Sequence, residues 1–201
     1  VTVVDNIDPT ITAPAAVSVN VDAGVCTTAL ANVTLGTPTT GDNCSVASTT
    51  NDAPASFPLG NTTVTYTVTD GSGNTATATQ VVTVVDNIDP TITAPAAVSV
   101  NVDAGVCTTA LANVTLGTPT TGDNCSVAST TNDALTSFPL GNTTVTYTVT
   151  DGSGNTATAT QVVTVVDNID PTITAPAAVS VNVDAGVCTT ALANVTLGTP
   201  T

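Results

Sequence analysis

The chain of 201 residues contains no lysine, arginine or histidine, and all 15 of its acidic residues are aspartate, so its formal charge is −15. Without histidine or lysine, it lacks the usual general base and the Schiff-base amine of enzymes. Without cationic side chains, it also lacks the positive charge that binding to nucleic acid or to anionic lipid requires. The composition therefore argues against ordinary enzymes, nucleic-acid-binding proteins and proteins of membrane surfaces.

Aromatic residues and helix signals are also scarce. The chain has two tyrosines and two phenylalanines, and no stretch has the 3.6-residue hydrophobic period of a helix. Hydrophobic residues still make up 41% of the chain, which is enough to build a core. Threonine and valine dominate, and both favour strands. The composition therefore predicts a folded, all-β protein.

The sequence is a tandem repeat with a period of 81 residues. The first 81 residues recur over the next 81 with one changed pair, Pro54-Ala55 to Leu135-Thr136. This period exceeds the roughly 20–50 residues of common solenoid repeats and suits a small independent domain. We expect four segments: the end of a preceding repeat with a linker at 1–7, full units at 8–88 and 89–169, and the start of a truncated third unit at 170–201.

Apolar and polar residues alternate over several short stretches of each unit. Val17, Val19 and Val21 alternate with polar residues, and the same pattern covers 63–69 and 75–85. A period of two predicts strands with one buried face, and the Asp-Gly-Ser-Gly-Asn sequence at 70–74 predicts a hairpin turn. About seven such strands, with turns every 8–12 residues, predict tandem immunoglobulin-like β-sandwich domains.

An ordered set of short motifs covers the whole 81-residue unit. These are Asp8-Pro9-Thr10-Ile11, Gly24-Val25-Cys26, Asp42-Asn43-Cys44, Phe57-Pro58-Leu59-Gly60, Val64-Thr65-Tyr66-Thr67-Val68-Thr69-Asp70 and Gly73-Asn74-Thr75-Ala76. The set resembles the hyalin repeat (HYR) family. The resemblance implies immunoglobulin-like modules of extracellular and cell-surface proteins, often arranged in long arrays in bacterial adhesins.

The five cysteines are disulfide candidates: Cys26, Cys44, Cys107, Cys125 and Cys188. The chain has no histidine and no Cys-x-x-Cys pair, which makes zinc improbable. Proximity favours Cys26–Cys44 within one unit. Immunoglobulin topology instead places these two residues at opposite poles, roughly 20 Å apart, whereas the Cα atoms of a disulfide lie within about 7 Å. That argument favours Cys26–Cys125 between units, unless the 36–43 connection runs back along the domain. Both pairings stay open.

Aspartates gather where one unit should meet the next. The linker, the connection before Cys125 and the 151–155 turn should share one pole of a domain, and the turn at Asp22 should approach from the preceding domain. Such a group of carboxylates without a cation repels itself, and oxygen ligands in this number suit Ca²⁺. The linker also resembles the Asp/Asn-Pro linkers of cadherins, where calcium stiffens domain junctions. The expected calcium ligands are Asp22, Asp86, Asp89, Asp123 and Asp151.

These features favour a structural role over a catalytic one, with no catalytic residues expected. We expect a repeat segment of a long extracellular fibre or adhesin stalk, stiffened at its junctions by calcium, by disulfides or by both. The alternative is an adhesive module that recognises a glycan or protein through its loops. Expected partners are other repeats of the same chain and further copies in a homotypic fibre, with no nucleic acid and no membrane insertion. The expected location is extracellular or at the cell surface.

Overall fold

The computed structural model describes residues 1–201 except for the side chain of Asn194. It contains 16 strands, eight from each full repeat, and three short 3₁₀ helices. The strands of the first repeat are β1 Thr10–Thr12, β2 Val17–Asn20, β3 Thr27–Ala29, β4 Thr39–Gly41, β5 Val46–Asn51, β6 Ser56–Pro58, β7 Gly60–Asp70 and β8 Thr75–Val85. Those of the second are β9 Thr91–Thr93, β10 Val98–Asn101, β11 Thr108–Ala110, β12 Thr120–Gly122, β13 Val127–Asn132, β14 Ser137–Pro139, β15 Gly141–Asp151 and β16 Thr156–Val166. The 3₁₀ helices are Leu30–Asn32, Leu111–Asn113 and Leu192–Asn194.

Each repeat folds as a β-sandwich around the long β7–β8 hairpin or its counterpart β15–β16. In the first repeat, a four-stranded sheet has the order β2-β8-β7-β5, and β2 runs parallel to β8 while the other neighbours are antiparallel. Two antiparallel strand pairs, β1–β4 and β3–β6, form the opposite layer. The second repeat has the same strand order. The tandem immunoglobulin-like all-β fold inferred from the sequence is therefore confirmed.

The core lies between these layers and consists mostly of valine. Val64 and Val82 come from the hairpin, and Phe57 comes from the opposite layer; all three are fully buried. Because side chains alternate along a strand, the threonines between the buried valines of the hairpin face away from the core and remain half-buried or exposed. The alternation seen in the sequence thus corresponds to the inside and outside of the sandwich.

A buried polar pair crosses each core. The Tyr147 hydroxyl donates to Oε1 of Gln161 at 2.8 Å, and both residues are 2% exposed. Nε2 of Gln161 donates to the carbonyls of Ala96 and Leu116. Burial raises the pKa of Tyr147, so its hydroxyl remains a donor at neutral pH. The pair therefore connects the hairpin to two loops of the opposite layer.

Residues 170–201 form no strand, although their sequence repeats that of the earlier units. Within this segment, Thr174 and Thr201 exchange backbone hydrogen bonds, and the turn at Asp184 forms as in the full repeats. Its valines at 179, 181 and 183 are exposed. In the full repeats, the equivalent valines pack against the long hairpin, and these 201 residues contain no third copy of that hairpin.

No helix in the part of the chain that the structure describes has the length and apolar character needed to cross a bilayer.

Loss of the buried Gln161 side chain should destabilise the second repeat selectively. The Gln161→Ala substitution leaves the Tyr147 hydroxyl and two loop carbonyls without their partner, so we expect the free energy of unfolding of the second repeat to fall by about 2–3 kcal/mol. The control is Thr160→Ala at the exposed neighbouring position, with an expected change of about 0.5 kcal/mol or less. Urea unfolding of both variants provides the measurement. Equal losses in the two variants would contradict the role assigned to Gln161.

Candidate cation site at the joint between repeats

The two repeats meet at a joint built from three segments: residues 25–26 of the first repeat, the linker at 86–90, and the 123–125 connection between β12 and β13. The linker directly follows β8, so its first residue, Asp86, is held by the end of a buried strand and is only 4% exposed. Oδ1 of Asp86 accepts hydrogen bonds from the Ile88 amide at 3.1 Å and from Nδ2 of Asn124 at 3.3 Å. Asp86 thus connects the linker to the second repeat.

The 123–125 connection is shaped by its own aspartate. Oδ2 of Asp123 accepts hydrogen bonds from the amides of Cys125 and Ser126, each at 2.8 Å. Such side-chain-to-backbone bonds are what make aspartate a turn residue. They hold Asn124 at the joint, where its Nδ2 also donates to the Val25 carbonyl of the first repeat at 3.3 Å.

Three oxygens at the joint are buried and accept no hydrogen bond from the described part of the chain: Oδ2 of Asp86, Oδ1 of Asp123 and Oδ1 of Asn124. A carboxylate oxygen of Asp86 and one of Asp123 lie within 4.8 Å of each other and of Sγ of Cys125. Buried oxygens without a donor are energetically unfavourable, and two of these carry negative charge. Hard oxygen donors of this kind fit Ca²⁺.

A disulfide bond crosses the same joint. Cys26 and Cys125 are bonded across 99 residues of sequence, with their Cα atoms 4.7 Å apart. Cys125 packs against the core of the first repeat together with Ile88, although it belongs to the second repeat. Cys44, Cys107 and Cys188 are free and exposed. Of the two pairings left open by the sequence, the structure contains the one between repeats.

Asp151 lies at the joint but has a different role from Asp86 and Asp123. It ends β15, is 2% exposed, and accepts hydrogen bonds from the amides of Ser153 and Asn155 and from Nδ2 of Asn155. That Nδ2 also donates to the Asp86 carbonyl at 3.2 Å. Asp151 therefore holds the hairpin turn, and Asn155 connects this turn to the linker.

The hydrogen bonds to Asp151 change its acidity. Burial by itself would raise the pKa of Asp151, but the donors of the turn, with the Asn155 side chain foremost, outweigh burial and lower the pKa below its ordinary value. The equivalent Asp70 of the first repeat has its pKa lowered in the same way. Both carboxylates therefore stay charged well into the acidic range.

Three of the expected calcium ligands, Asp151, Asp22 and Asp89, lie outside the acidic groups that the described residues form. Asp22 accepts hydrogen bonds from the Ala29 amide at Oδ2 and from Asn32 Nδ2 at Oδ1, each at 2.8 Å, so both of its oxygens already serve its own turn. Asp89 is exposed. Asn124 and Asn155 contribute to the joint but were not among the expected calcium ligands. The only sequence signal for Asn124 is its place between Asp123 and Cys125.

The first repeat has an equivalent acidic group at its own entry. Carboxylate oxygens of Asp5, Asp42 and Asp70 lie within 4.8 Å of one another. Oδ2 of Asp5 and Oδ1 of Asp42 are again buried without a donor among the described residues. Asn43 Nδ2 lies 3.4 Å from Asp5 Oδ1 and so repeats the contact between Asn124 and Asp86. Two equivalent aspartates, one from the linker and one from the Asp-Asn-Cys connection, therefore come together at the entry of both full repeats.

Comparison with known proteins gives consistent matches along the chain. The family model described as HYR domain matches residues 4–84 and again 85–165. Hyalin from Strongylocentrotus purpuratus is 37% identical over 210 residues, an alignment that covers 98% of this chain and 16% of that protein. Hyalin from Lytechinus variegatus is 38% identical over 181 residues, covering 85% and 33% respectively. The chain thus spans about a sixth and a third of the length of these relatives.

Solved structures that the comparison matches to this chain include extracellular domains of cadherins. Extracellular domains 1–4 of protocadherin gamma B7 align with a TM-score of 0.37 at 12% identity, covering 80% of this chain and 51% of that chain. Domains EC22–24 of mouse cadherin-23 align with a TM-score of 0.36 at 14% identity, covering 82% and 66%. Likenesses of this degree are too weak to indicate a shared function.

The lowered pKa of Asp151 should make the second repeat lose stability in acid. Because its folded-state pKa lies below the unfolded value of about 3.9, its stabilising effect is complete above that value and is lost as the pH falls through the folded-state pKa. Urea unfolding in a chelator should show this loss below about pH 4. The Asp151→Asn variant should be less stable near neutral pH and lose less on acidification. An equal loss in both proteins would contradict this account.

Counting thiols should distinguish the two disulfide pairings. Pairing between repeats leaves three of the five cysteines free, namely 44, 107 and 188. Pairing within repeats would form two bonds, Cys26–Cys44 and Cys107–Cys125, and leave only Cys188. Alkylation of the folded, unreduced chain followed by intact mass measurement should therefore give three adducts. A single adduct would contradict the bond at the joint. This count is needed because the repeats are so alike that peptides from Cys44 and Cys125 have the same mass after cleavage before aspartate.

Proposed function

The chain belongs to the HYR family, and on this premise we propose that it is a load-bearing segment of a long extracellular fibre or adhesin stalk whose joints are stiffened by calcium and by disulfide bonds. The observation that carries this proposal is the group of buried oxygens without donors at the joint, namely those of Asp86, Asp123 and Asn124. The site lies between two repeats, so a ligand bound there acts on their relative orientation.

The residues at the joint fit Ca²⁺ for three reasons. They supply oxygen only, apart from a sulfur that is already in a disulfide bond. They carry negative charge that no lysine, arginine or histidine of the chain can neutralise. They also come from both the linker and the second repeat, so a shared ion would hold these two segments together. Asp86, Asp123 and Asn124 would supply the ligands, and Asp151 would position the linker through Asn155.

The disulfide supports the same mechanical role. A bond that closes a 99-residue loop is expected to stabilise the folded state by about 4–5 kcal/mol through the entropy of the unfolded chain. Because it joins Cys26 of one repeat to Cys125 of the next, it also limits how far the two domains can separate. Repeats that differ at only two positions suit a segment in which every unit bears the same load.

An extracellular location agrees with this chemistry. Disulfides persist in oxidising compartments. The absence of lysine and arginine removes every site for trypsin-like proteases, which suits a chain exposed outside the cell. The proposed role is non-enzymatic, and Asp86, Asp123 and Asp151 are each engaged in a turn, in a linker contact or in the candidate cation site.

Calcium should bind at the joint and stiffen it. Isothermal titration should find two sites per chain, one at each acidic group, and calcium at about 100 times its Kd should raise the free energy of unfolding by about 2.7 kcal/mol per site. Small-angle scattering should show a fixed two-domain length in calcium and a broader distribution in chelator. The Asp123→Asn and Asn124→Ala variants should each lose one site.

Two matched variants make this test specific. Asp133→Asn removes the same charge from an exposed position outside both acidic groups, and should keep both sites. Asp89→Asn tests the exposed linker carboxylate, which the sequence suggested as a ligand, and should change calcium binding less than Asp123→Asn does. Loss of calcium binding in Asp133→Asn, or unchanged binding in Asp123→Asn, would overturn the assignment.

A further inference from the structure

Two covalent connections cross the joint between the repeats, namely the linker at 86–90 and the Cys26–Cys125 disulfide. The backbone between the two cysteines runs through 99 residues of sequence, whereas their Cα atoms are 4.7 Å apart. A backbone of that length spans roughly 330–350 Å when it is fully extended, because each residue adds about 3.3–3.6 Å. The disulfide is therefore by far the shorter covalent route from Cys26 to Cys125.

The strand that leads to Cys26 is already extended. β2 forms one edge of the four-stranded sheet and pairs in parallel with β8, from Val17 opposite Val82 to Asn20 opposite Val85. A strand rises about 3.2–3.4 Å per residue, which is close to the limit of an extended chain. Tension that enters the first repeat before β2 can therefore reach Cys26 with little lengthening of this strand.

The linker, in contrast, is bent. Residues 86–90 form no strand, and the Asp86 side chain accepts a hydrogen bond from the Ile88 amide, two residues later, at 3.1 Å. Nδ2 of Asn155 holds the Asp86 carbonyl at 3.2 Å. A bent segment lengthens when its ends are pulled, whereas a disulfide bond does not. When the two repeats are pulled apart, the disulfide therefore becomes taut before the linker does.

The longer route contains most of the first repeat. Residues 27–124 include strands β3 to β8, the linker, and strands β9 to β12 of the second repeat. The fully buried Phe57, Val64 and Val82 lie on this route, as do the donorless oxygens of Asp86 and Asp123. The disulfide ties the two ends of the route together, so pulling on the chain cannot draw the route out while the bond is intact.

We propose that tension on the chain crosses the joint through the Cys26–Cys125 bond, and that residues 27–124 stay outside the load-bearing path. The inference rests on the proposed load-bearing role of the segment, but not on calcium. It separates two tasks at the joint, since the bond carries the load while the linker and the carboxylates set orientation. It also implies that one cut of the backbone anywhere in residues 27–124 leaves the chain in one covalent piece.

Loss of the bond would transfer the load to the pairing of β2 with β8. The two strands are parallel and neighbouring, so force that pulls the start of β2 and the end of β8 apart slides one strand along the other. The four registered pairs from Val17–Val82 to Asn20–Val85 would then be loaded together, along with the hydrogen bond from the Val21 amide to the Val85 carbonyl. With the bond intact, β8 lies outside the path.

A pair of matched cuts tests the route. The loops at 52–55 and 133–136 differ in sequence between the repeats, so this loop accepts changes. A recognition sequence for a site-specific protease is inserted into the full chain between residues 54 and 55 in one variant, and between residues 135 and 136 in the other. Free thiols are alkylated first, the chain is cut, and its mass is measured after denaturation without reductant.

The first cut lies inside the route and the second lies beyond Cys125. The chain cut between residues 54 and 55 should keep the mass of the uncut chain plus one water, and should separate into two fragments only after a dithiol is added. The dithiol cleaves the bond by two successive thiolate attacks, leaves two protein thiols and becomes a cyclic disulfide. The chain cut between residues 135 and 136 should separate without reductant. The opposite behaviour of either chain would overturn the proposal.

Single-molecule pulling tests the load itself. The full chain is held by handles attached enzymatically to tags at its two ends and compared with the double variant Cys26→Ser, Cys125→Ser. At full extension, the unreduced chain should be shorter than the double variant by roughly 330–350 Å, the length of the backbone that the bond excludes. Addition of a dithiol should remove the difference without changing the double variant. Equal lengths before reduction would overturn the load path.

Calcium distinguishes this inference from the proposed function. The difference in length should be the same in calcium and in chelator, because the carboxylates of the linker lie outside the load path. A difference in length without any calcium binding would support the load path and count against the calcium part of the proposed function. Calcium binding without a difference in length would overturn the load path alone.

Discussion

The chain must accommodate 15 carboxylates without a single cationic side chain, and this constraint shapes the loops that carry them. The solution is to surround carboxylates with backbone amides and asparagine side chains. Asp151 accepts three hydrogen bonds within its turn, and Asp22 accepts one backbone and one asparagine bond. Such charge-assisted bonds are stronger than neutral ones, so Asp151 and Asp22 each fix the loop that carries them. Asparagine is the side chain that supplies donors to these carboxylates because its amide offers N–H groups without adding charge.

The same constraint explains why the joint between repeats differs chemically from the other loops. In the turns, each buried carboxylate finds its donors within its own loop. At the joint, Asp86 and Asp123 each use one oxygen for local donors, and each keeps the other buried without a donor. A polypeptide of this composition has no cationic side chain to place there, so only a cation from solution can compensate the charge. The joint, like the group of Asp5 and Asp42 at the entry of the first repeat, is thus a place where buried carboxylate oxygens have no donor among the described residues.

Much of the fold follows from the sequence because the strands obey a simple alternation. The hairpin of β7 and β8 could be located from its threonine and valine pattern and its Asp-Gly-Ser-Gly-Asn turn, since side-chain direction alternates strictly along a strand. Gln161 could not be located in the core, because a glutamine in a strand of threonines reads as a solvent-facing residue. Its burial depends on two loop carbonyls that only the tertiary structure brings to it.

The site was predictable only in part, for a related reason. The expected immunoglobulin topology predicted that the linker and the 123–125 connection share one pole of the domain. In the structure, Asp86, Asp123 and Cys125 from these two segments do lie together. The topology could not show that the oxygens of Asp22 are engaged by the turn at 29–32, because that depends on side-chain rotamers. Asn124 was not among the predicted ligands, since an amide beside an aspartate is common in any turn.

The disulfide and the candidate cation site share one structural element, so they cannot be independent. Asp123, Asn124 and Cys125 are consecutive, and the same backbone turn fixes all three. Whatever holds Cys125 against Cys26 also holds the oxygens of Asp123 and Asn124 near Asp86. By linkage, a cation that favours this arrangement favours disulfide formation to the same extent that the disulfide favours cation binding. In the proposed fibre, the rigidity of the joint is therefore one cooperative property of the 123–125 connection.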